Sequence, residues 1–339
     1  MLRGCIVGCG AISTMHAMGI NATEYGVIEA VCDIVPERAD KAAKEYGCRA
    51  LYSFEEVLSD PAIDVVHICT PHHLHVEMTV RALRAGKHVL QEKPVALSRE
   101  ELKILIEAEK ETGKRVCVSL QTRSNAGIKK LFEIIKTDTS IGKLTGVTGV
   151  LVWNRGEAYY QKDGWRGRWT TEGGSLLCNQ AIHTLDLMHY FAGPAKRVRA
   201  HIATNWWDDI IETEDTANAL IEFESGVRGV FFGTNTYTSS SPAMIELDFE
   251  HARFRYADQA LYRIDPQGHA ECLQKDARKT PGKVVWGSGH PQLIYDFYQF
   301  LKEGKGTYLS LADALPSAMT LLSMYESGKA GNVWTDVSK

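Results

Sequence analysis

Short apolar runs alternate with longer amphipathic segments through the first 120 residues of the chain. The apolar runs cover residues 4–7, 27–32, 65–69, 88–90 and 116–120. The amphipathic segments between them cover residues 36–46, 73–85 and 98–112. Their ends carry helix signals: Pro36 stands in a first turn, Gly86 and Gly113 follow the last periodic residues, and Ser98 forms a capping box with Glu101. This alternation predicts a doubly wound α/β fold built on a parallel sheet.

The second half of the chain has longer segments in which apolar and polar residues alternate. They cover residues 143–153, 197–205, 215–224, 226–237 and 243–250. Period-two alternation is typical of antiparallel strands with one buried face. We therefore predict a first domain over residues 1–121 and a second, α+β domain with a large, mainly antiparallel sheet over residues 122–339. A closing helix over residues 311–327 is long and apolar enough to pack on the first domain.

Composition narrows the range of partners and compartments. A chain of 339 residues fits two domains, and 38 basic against 42 acidic residues leave no basic surplus for a nucleic-acid backbone. Eight cysteines without a C-x-x-C pair suit reduced thiols in a cytoplasm better than a disulfide framework or a zinc site. The apolar run near the N-terminus is too short for a signal peptide, and none approaches the ~18 residues of a membrane span. We expect a cytoplasmic protein that binds neither nucleic acid nor membrane.

A glycine-rich loop, Gly8-Cys9-Gly10-Ala11-Ile12-Ser13, follows the first predicted strand. Gly8 allows a tight turn, and Gly10 lets backbone N–H groups approach a pyrophosphate at the start of a helix. Asp33 ends the second strand, where its carboxylate can accept both ribose hydroxyls and would repel a 2′-phosphate. The loop and this acid predict a Rossmann unit in which Gly8, Gly10, Ala11, Ile12 and Asp33 contact the cofactor, with NAD favoured over NADP.

Further motifs extend along nearly the whole chain. They are Cys69-Thr70-Pro71-His72-His73-Leu74-His75, Gln91-Glu92-Lys93-Pro94, Gln121-x-Arg123, Trp165-Arg166-Gly167, Gly173-Gly174-Ser175 and Asn179-x-x-x-His183-x-x-Asp186. Together with the glycine loop, these motifs resemble the Gfo/Idh/MocA family, which is named for glucose-fructose oxidoreductase and inositol dehydrogenase.

The resemblance implies an NAD(P)-dependent dehydrogenase or reductase acting on a CH–OH group of a sugar-type substrate. It implies that Lys93 and His183 are catalytic, and that Thr70, Pro71 and His75 line the nicotinamide with Glu92 nearby. It also implies a homodimer or homotetramer formed through the open face of the second sheet. Further candidates are Trp165 and Arg166 for the cofactor and Arg123 and His290 for the substrate, although interface packing explains each of these four equally well.

Asn179 and His183 are four residues apart, so a helix would place them on one face, with Asp186 three residues further on. Many family members carry Asp where this chain has Asn179. An amide can orient a neighbour by hydrogen bonding but cannot hold a charge. This favours Lys93 as the residue that takes part in proton transfer. The pattern Asn-Gln-x-x-His resembles that of nucleotide-sugar 3-dehydrogenases of the family.

The expected reaction transfers a hydride between a sugar carbinol carbon and C4 of NAD. His183 would act as general base for the hydroxyl proton, with Asn179 beside it, and Lys93 would stabilise charge on the same oxygen. The substrate would be a pyranoside, a cyclitol or a nucleotide sugar. Two alternatives remain open: a redox-neutral glycosidase or lyase that works through a transient keto-sugar, and a catalytically silent NAD-binding protein. A metal site at His72, His73 and His75 is disfavoured, because adjacent residues entering a helix seldom converge on one ion.

Overall fold

The computed structural model describes residues 1–276 and 288–338. They form two compact units, of which the first comprises residues 1–121 and 288–314 and the second residues 122–276 and 315–338. The strands are β1 Leu2–Val7, β2 Gly26–Cys32, β3 Arg49–Leu51, β4 Val65–Ile68, β5 His88–Gln91, β6 Val116–Val118, β7 Leu144–Val152, β8 Ala195–Ala203, β9 Thr216–Phe223, β10 Arg228–Thr234, β11 Met244–Phe249, β12 Arg253–Ala257, β13 Ala260–Ile264, β14 Ala270–Lys275 and β15 Thr335–Asp336. The helices are α1 Ser13–Asn21, α2 Pro36–Tyr46, α3 Phe54–Ser59, α4 His75–Arg84, α5 Arg99–Thr112, α6 Ala126–Thr137, α7 Glu157–Gln161, α8 Ile182–Ala192, α9 Gly289–Glu303 and α10 Leu311–Lys329.

The first unit contains a six-stranded parallel sheet in the order β3-β2-β1-β4-β5-β6. The order reverses at β1, so the loops after β1 and β4 begin at neighbouring positions on the carboxyl edge of the sheet. A crevice at such a switch point is where doubly wound folds bind ligands. The predicted doubly wound class is therefore confirmed.

The helix signals identified in the sequence act as expected in this unit. Ser98 accepts a hydrogen bond from the N–H of Glu101 at 3.1 Å, and the Glu101 carboxylate accepts the N–H of Leu97 at 2.7 Å. Gly113 ends α5 in the left-handed region with φ of 65°, and Gly86, with φ of 81°, lies two residues beyond the end of α4. The helix predicted over residues 73–85 is shorter than expected, because residues 72–74 form a 3₁₀ turn before α4. The short β3 and α3 were not predicted.

The second unit contains a nine-stranded sheet in the order β14-β13-β12-β11-β7-β10-β9-β8-β15. Its pairs are antiparallel except for β7 with β10, which confirms the prediction of a mainly antiparallel sheet. The five predicted strands are present, whereas β12 to β15 were not predicted. Helix α8 lies directly on the sheet at Gly149, where an added Cβ would come within 2.9 Å of Thr184 and 2.8 Å of Met188.

The segment before α8 is not a regular α-helix. Residues Leu176–Ala181 form a π-helical turn, and α8 continues from Ile182. Asn179 thus lies in the π turn and His183 in the first turn of α8, so the spacing argument for one α-helical face is corrected. Isolated π-helical turns of this kind frequently mark functional sites.

Candidate active site

The glycine loop after β1 is shaped by two glycines with different surroundings. Gly8 has φ +94°, and a Cβ there would lie 2.7 Å from the carbonyl oxygen of Cys69. A Cβ on Gly10 would have no neighbour within 4 Å. Helix α1 begins at Ser13, whose hydroxyl donates to the Gly10 carbonyl at 2.6 Å. The backbone around Gly10 is therefore open to a ligand at the start of a helix, as a pyrophosphate requires.

Asp33 lies at the end of β2 and is largely buried. Its two carboxylate oxygens accept the N–H groups of Cys9 and Val35, each at 2.9 Å. The carboxylate thus holds the glycine loop beside the strand end while retaining lone pairs for further donors. This position is the one at which the sequence predicted a ribose-binding acid.

The loop after β5, which carries Lys93, is fastened by a buried amide. Gln91 Nε2 donates to the Val95 carbonyl at 2.8 Å, and Gln91 Oε1 accepts from the Thr79 hydroxyl at 2.8 Å. His75 connects this loop to the loop after β4, because its ring nitrogens lie 3.1 Å from the Pro94 carbonyl and 3.0 Å from the Thr70 carbonyl. Burial lowers the pKa of His75, so the neutral ring donates to one carbonyl at a time.

Glu92 ends a buried chain of hydrogen bonds that the sequence did not reveal. Its carboxylate lies 2.9 Å from His16 Nε2, His16 Nδ1 lies 2.8 Å from His67 Nδ1, and His67 Nε2 lies 2.9 Å from the Tyr298 hydroxyl. These residues come from the loop after β5, from α1, from β4 and from α9. Their only signal in the sequence is polar residues inside apolar elements, such as His67 within the otherwise apolar β4.

The charge on Glu92 follows from its partners. Burial alone would raise the pKa of this carboxyl, but the His16 hydrogen bond, followed by electrostatic interactions with His16, His290 and Lys93, lowers it below its ordinary value. His290 is buried, and its ring lies 6.3 Å from that of His16. Burial lowers the pKa of His290 to about 4, against the opposing effect of Glu92. The first unit therefore holds an ionised carboxylate next to Lys93 in the chain.

The residues of this unit fit a dinucleotide. Besides the open glycine loop, the Thr70 hydroxyl is buried and has no hydrogen-bond partner within the part of the chain that the structure describes. A buried hydroxyl without a partner is costly unless a ligand satisfies it. Gly8, Gly10, Ala11, Ile12, Asp33, Thr70, Pro71, His75, Glu92 and Lys93 all lie on loops or helix starts that follow β1, β2, β4 and β5.

In the second unit, Asn179 is the centre of a polar cluster. Its Nδ2 donates to Glu172 Oε1 at 2.6 Å and to the Tyr159 hydroxyl at 3.1 Å. The same hydroxyl accepts from Gln180 Nε2 at 2.8 Å. The Arg166 guanidinium lies 4.8 Å from the centre of the Tyr159 ring and 4.6 Å from that of Trp165, and it pairs with Asp163 at 2.9 Å. The structure thus brings Asn179 and Arg166 together through Tyr159.

Arg123 has a different setting. Its guanidinium binds both oxygens of the buried Asp186, at 2.8 and 2.6 Å, and lies 4.8 Å from the centre of the Tyr190 ring. Ser317 also donates to Asp186, at 3.0 Å. These contacts make Arg123 a support for α8, and its predicted contact with substrate stays a prediction.

Within residues 1–276 and 288–338, no group of three or more His, Cys, Asp or Glu side chains could hold a metal ion. No helix in those ranges has the length and apolar character that crossing a membrane requires.

A switch-point crevice with a glycine loop, a strand-end acid and an unsatisfied hydroxyl defines a dinucleotide-dependent protein. Residues 2–120 match an oxidoreductase family with an NAD-binding Rossmann fold, and residues 128–255 match the GFO/IDH/MocA C-terminal domain. The chain belongs to the Gfo/Idh/MocA family of oxidoreductases. The predictions of this family, of an enzyme and of NAD as cofactor are confirmed.

Two relatives and one solved structure illustrate the likeness. An uncharacterized oxidoreductase, ORF334, of Rhizobium meliloti is 36% identical over 152 residues, which cover 44% of this chain and 45% of the relative. Levoglucosan dehydrogenase of Pseudarthrobacter phenanthrenivorans is 24% identical over 98% of this chain and 97% of its own. The WlbA dehydrogenase of Bordetella pertussis, solved in complex with NADH and UDP-GlcNAcA, is 28% identical with a TM-score of 0.85, covering 99% of this chain and 98% of that one.

Proposed function

We propose that this protein is an NAD-dependent dehydrogenase that transfers a hydride between the cofactor and a hydroxyl-bearing carbon of a pyranoside, cyclitol or nucleotide sugar. One observation carries the proposal: the candidate cofactor residues of the first unit all lie at the same edge of its parallel sheet. The glycine loop, Asp33, the Thr70 loop and the Glu92-Lys93 loop all follow strands of this parallel sheet. Similarity to a levoglucosan dehydrogenase and to a UDP-sugar-binding WlbA dehydrogenase supports a sugar-type substrate.

In this proposal residues 1–121 bind NAD and residues 122–339 bind the substrate. The N–H groups around Gly8, Gly10, Ala11 and Ile12 hold the pyrophosphate, and Asp33 accepts the ribose hydroxyls. Thr70, Pro71, His75 and Glu92 surround the nicotinamide end, with Trp165 and Arg166 as further cofactor contacts. Bound NAD supplies the acceptor for the hydride that leaves the carbinol carbon with its bonding electrons.

The proton of the substrate hydroxyl goes to His183, the general base. Lys93 donates a hydrogen bond to the same oxygen and stabilises the charge that develops there as the proton leaves. Asn179 orients the imidazole or the substrate, and Arg123 and His290 are the remaining candidates for substrate contacts. Oxidation at C3 of the sugar ring is the variant that the Asn-Gln-x-x-His pattern favours.

Two further properties belong to the proposal. A homodimer or homotetramer is supported by the sheet face opposite α8, where Leu220 and Val230 remain 49% and 47% exposed. A cytoplasmic location is supported by the pattern of the eight cysteines, which contains no C-x-x-C pair and suits reduced thiols.

The test is a substrate screen with purified protein and NAD that follows NADH and sugar products together. Free sugars, cyclitols, glycosides and nucleotide sugars are compared, with Lys93→Met as the matched variant. We expect NADH to accumulate with one of these classes, and we expect Lys93→Met to lower kcat by about 100-fold or more while NAD still binds. Product without net NADH would indicate the redox-neutral glycosidase or lyase instead. Absence of both with every class would indicate a silent NAD-binding protein.

A further inference from the structure

A carboxylate that the sequence did not single out lies beside Asn179. Glu172 is fully buried in the turn that precedes Gly173 and Gly174. Its Oε2 accepts the N–H of Gly167 at 2.5 Å, and its Oε1 accepts Asn179 Nδ2 at 2.6 Å. Both of these partners are donors, and both distances are at the short end for hydrogen bonds to an ionised acceptor. The arrangement suits the charged form of Glu172.

These contacts fix which way the Asn179 amide faces. An amide has two N–H donors on its nitrogen and one acceptor oxygen. Both donors are used, one on Glu172 and one on the Tyr159 hydroxyl. A rotated amide would turn its oxygen toward the Glu172 carboxylate, which repels it. The Asn179 oxygen therefore lies on the side of the amide that does not face the Glu172 carboxylate.

We propose that Glu172 is a positioning residue for the reaction: it holds the Asn179 amide in one orientation and supplies the negative charge that Asn179 lacks. This inference rests on the proposed roles of Asn179 and His183. Through the polarised amide, the Glu172 charge favours the imidazolium that forms when His183 takes the substrate proton. Glu172 itself gains and loses no proton in the step.

Other titratable groups surround this cluster and enter any pH experiment. Tyr159 lies on α7, and burial followed by the Glu172 charge raises its pKa, against Arg166 and Arg155. Burial, followed by the electrostatic effects of Glu214, Cys178 and Glu172, raises the pKa of Tyr325 on α10, and the Tyr325 hydroxyl donates to Glu214 at 2.9 Å. Burial raises the pKa of Glu214 to about 7, so this carboxyl titrates in the range where activity is measured.

A charge exchange between the two positions tests the proposal. Glu172→Gln keeps the shape but removes the charge, and Asn179→Asp places two carboxylates at hydrogen-bond distance, so that one must bind a proton. We expect each single variant to lower kcat by about tenfold or more, and the double variant to recover to within about threefold of the unmodified enzyme. We also expect Glu172→Gln to move the acid limb of the kcat/KM profile to lower pH by roughly half a unit or more, and the double variant to return it.

A purely structural role gives a different result. The losses would then add in the double variant, and the acid limb would keep its position in all three proteins, which would overturn the proposal. Glu212→Gln is the matched control, because Glu212 is an exposed carboxylate of the same unit that pairs with Arg168. Glu214→Gln shows whether titration of Glu214 produces the acid limb of the kcat/KM profile. If the acid limb moves only in this variant, the proposal is also overturned. Thermal unfolding of every variant identifies losses caused by misfolding.

NMR titration of the His183 imidazole separates this inference from the proposed function. We expect a lower pKa for His183 in Glu172→Gln than in the unmodified protein, with or without a known substrate. If the pKa moves but no sugar is oxidised, the positioning role stands and the dehydrogenase proposal fails. If sugars are oxidised but neither the pKa nor the charge exchange responds, the positioning role fails and the dehydrogenase proposal stands.

Discussion

Gly8 and Gly10 are two residues apart in one loop, yet each is needed for a different physical reason. At Gly8 the backbone has φ +94° and a Cβ would press on the Cys69 carbonyl carbon and oxygen, at 2.8 and 2.7 Å. At Gly10 the space that a Cβ would enter is empty of protein atoms within 4 Å. The first glycine serves the fold, whereas the second leaves room for a ligand.

We therefore expect Gly10→Ala to leave thermal stability nearly unchanged and to raise the Kd for NAD by about tenfold or more, which corresponds to ~1.4 kcal/mol. Gly8→Ala should instead lower the free energy of unfolding by roughly 1–3 kcal/mol, because it combines strain with a clash. Calorimetric titration with NAD and thermal unfolding of both variants check this. Equal effects of the two substitutions on stability would contradict it.

Asp33 combines a structural role with a proposed role in cofactor choice. Its carboxylate holds the N–H groups of Cys9 and Val35, so any substitution disturbs the loop for both cofactors. The ratio of the Kd for NADP to that for NAD cancels this shared loss. We expect Asp33→Asn to lower that ratio by about tenfold, because repulsion of the 2′-phosphate disappears. An unchanged ratio would place Asp33 away from the adenosine ribose.

At the scale of elements, the buried chain of hydrogen bonds from Glu92 through His16 and His67 to Tyr298 connects α1, β4, α9 and the loop after β5. The hydrogens along it are coupled: a proton between His16 Nδ1 and His67 Nδ1 determines whether His67 Nε2 donates to or accepts from Tyr298. Gly4 and Gly26 make room for Tyr298, since a Cβ on either would lie 2.5–2.7 Å from that side chain. The chain thereby orients Glu92 from the interior of the first unit.

We expect Tyr298→Phe to lower the free energy of unfolding by roughly 1–3 kcal/mol, because it leaves His67 Nε2 buried without a partner. Tyr25→Phe is the matched control, since the Tyr25 hydroxyl bonds to Glu303 at an exposed site. That control should cost less than about 0.5 kcal/mol. Denaturant unfolding of both variants measures the difference in the free energy of unfolding. A loss as small for Tyr298→Phe as for Tyr25→Phe would show that the buried hydrogen bonds from Glu92 to Tyr298 do not contribute to stability.

At the scale of the whole molecule, buried histidines in both units link stability to pH. Burial lowers the pKa of His189 and of His290 from 6.5 to about 4, and that of His67 well below 6.5. The unfolded chain thus binds more protons than the folded chain once the pH falls below 6.5. Stability from these groups is complete above pH 6.5 and declines as the pH drops toward the folded-state pKa values.

Each such histidine should lower the free energy of unfolding by about 1.4 kcal/mol for each pH unit below 6.5. We expect the midpoint of thermal unfolding to fall steeply between pH 6.5 and 5, and His189→Asn to reduce that slope. His269→Asn serves as control, because the His269 side chain is 81% exposed. A midpoint independent of pH over this interval would show that the buried histidines titrate alike in both states.

The sequence by itself determined the parallel sheet, the helices α2, α4, α5 and α10, the glycine loop and the acid at the end of β2. These features depend on periodicity and on short-range signals such as Ser98 with Glu101, which are present in the local chain. The motif residues of the family were also identified there, although their roles stay predictions. Weaker local signals explain why β3, α3 and β12 to β15 were not predicted.

Only the tertiary structure decided how the polar interior is connected. The hydrogen bonds from His16 to His67, from His16 to Glu92 and from His67 to Tyr298 join residues that are 51, 76 and 231 positions apart. The π-helical turn likewise changes the environment of Asn179 and places it against Glu172. Such contacts depend on how distant elements pack, and a buried polar group takes whichever partner that packing provides, which no local pattern specifies.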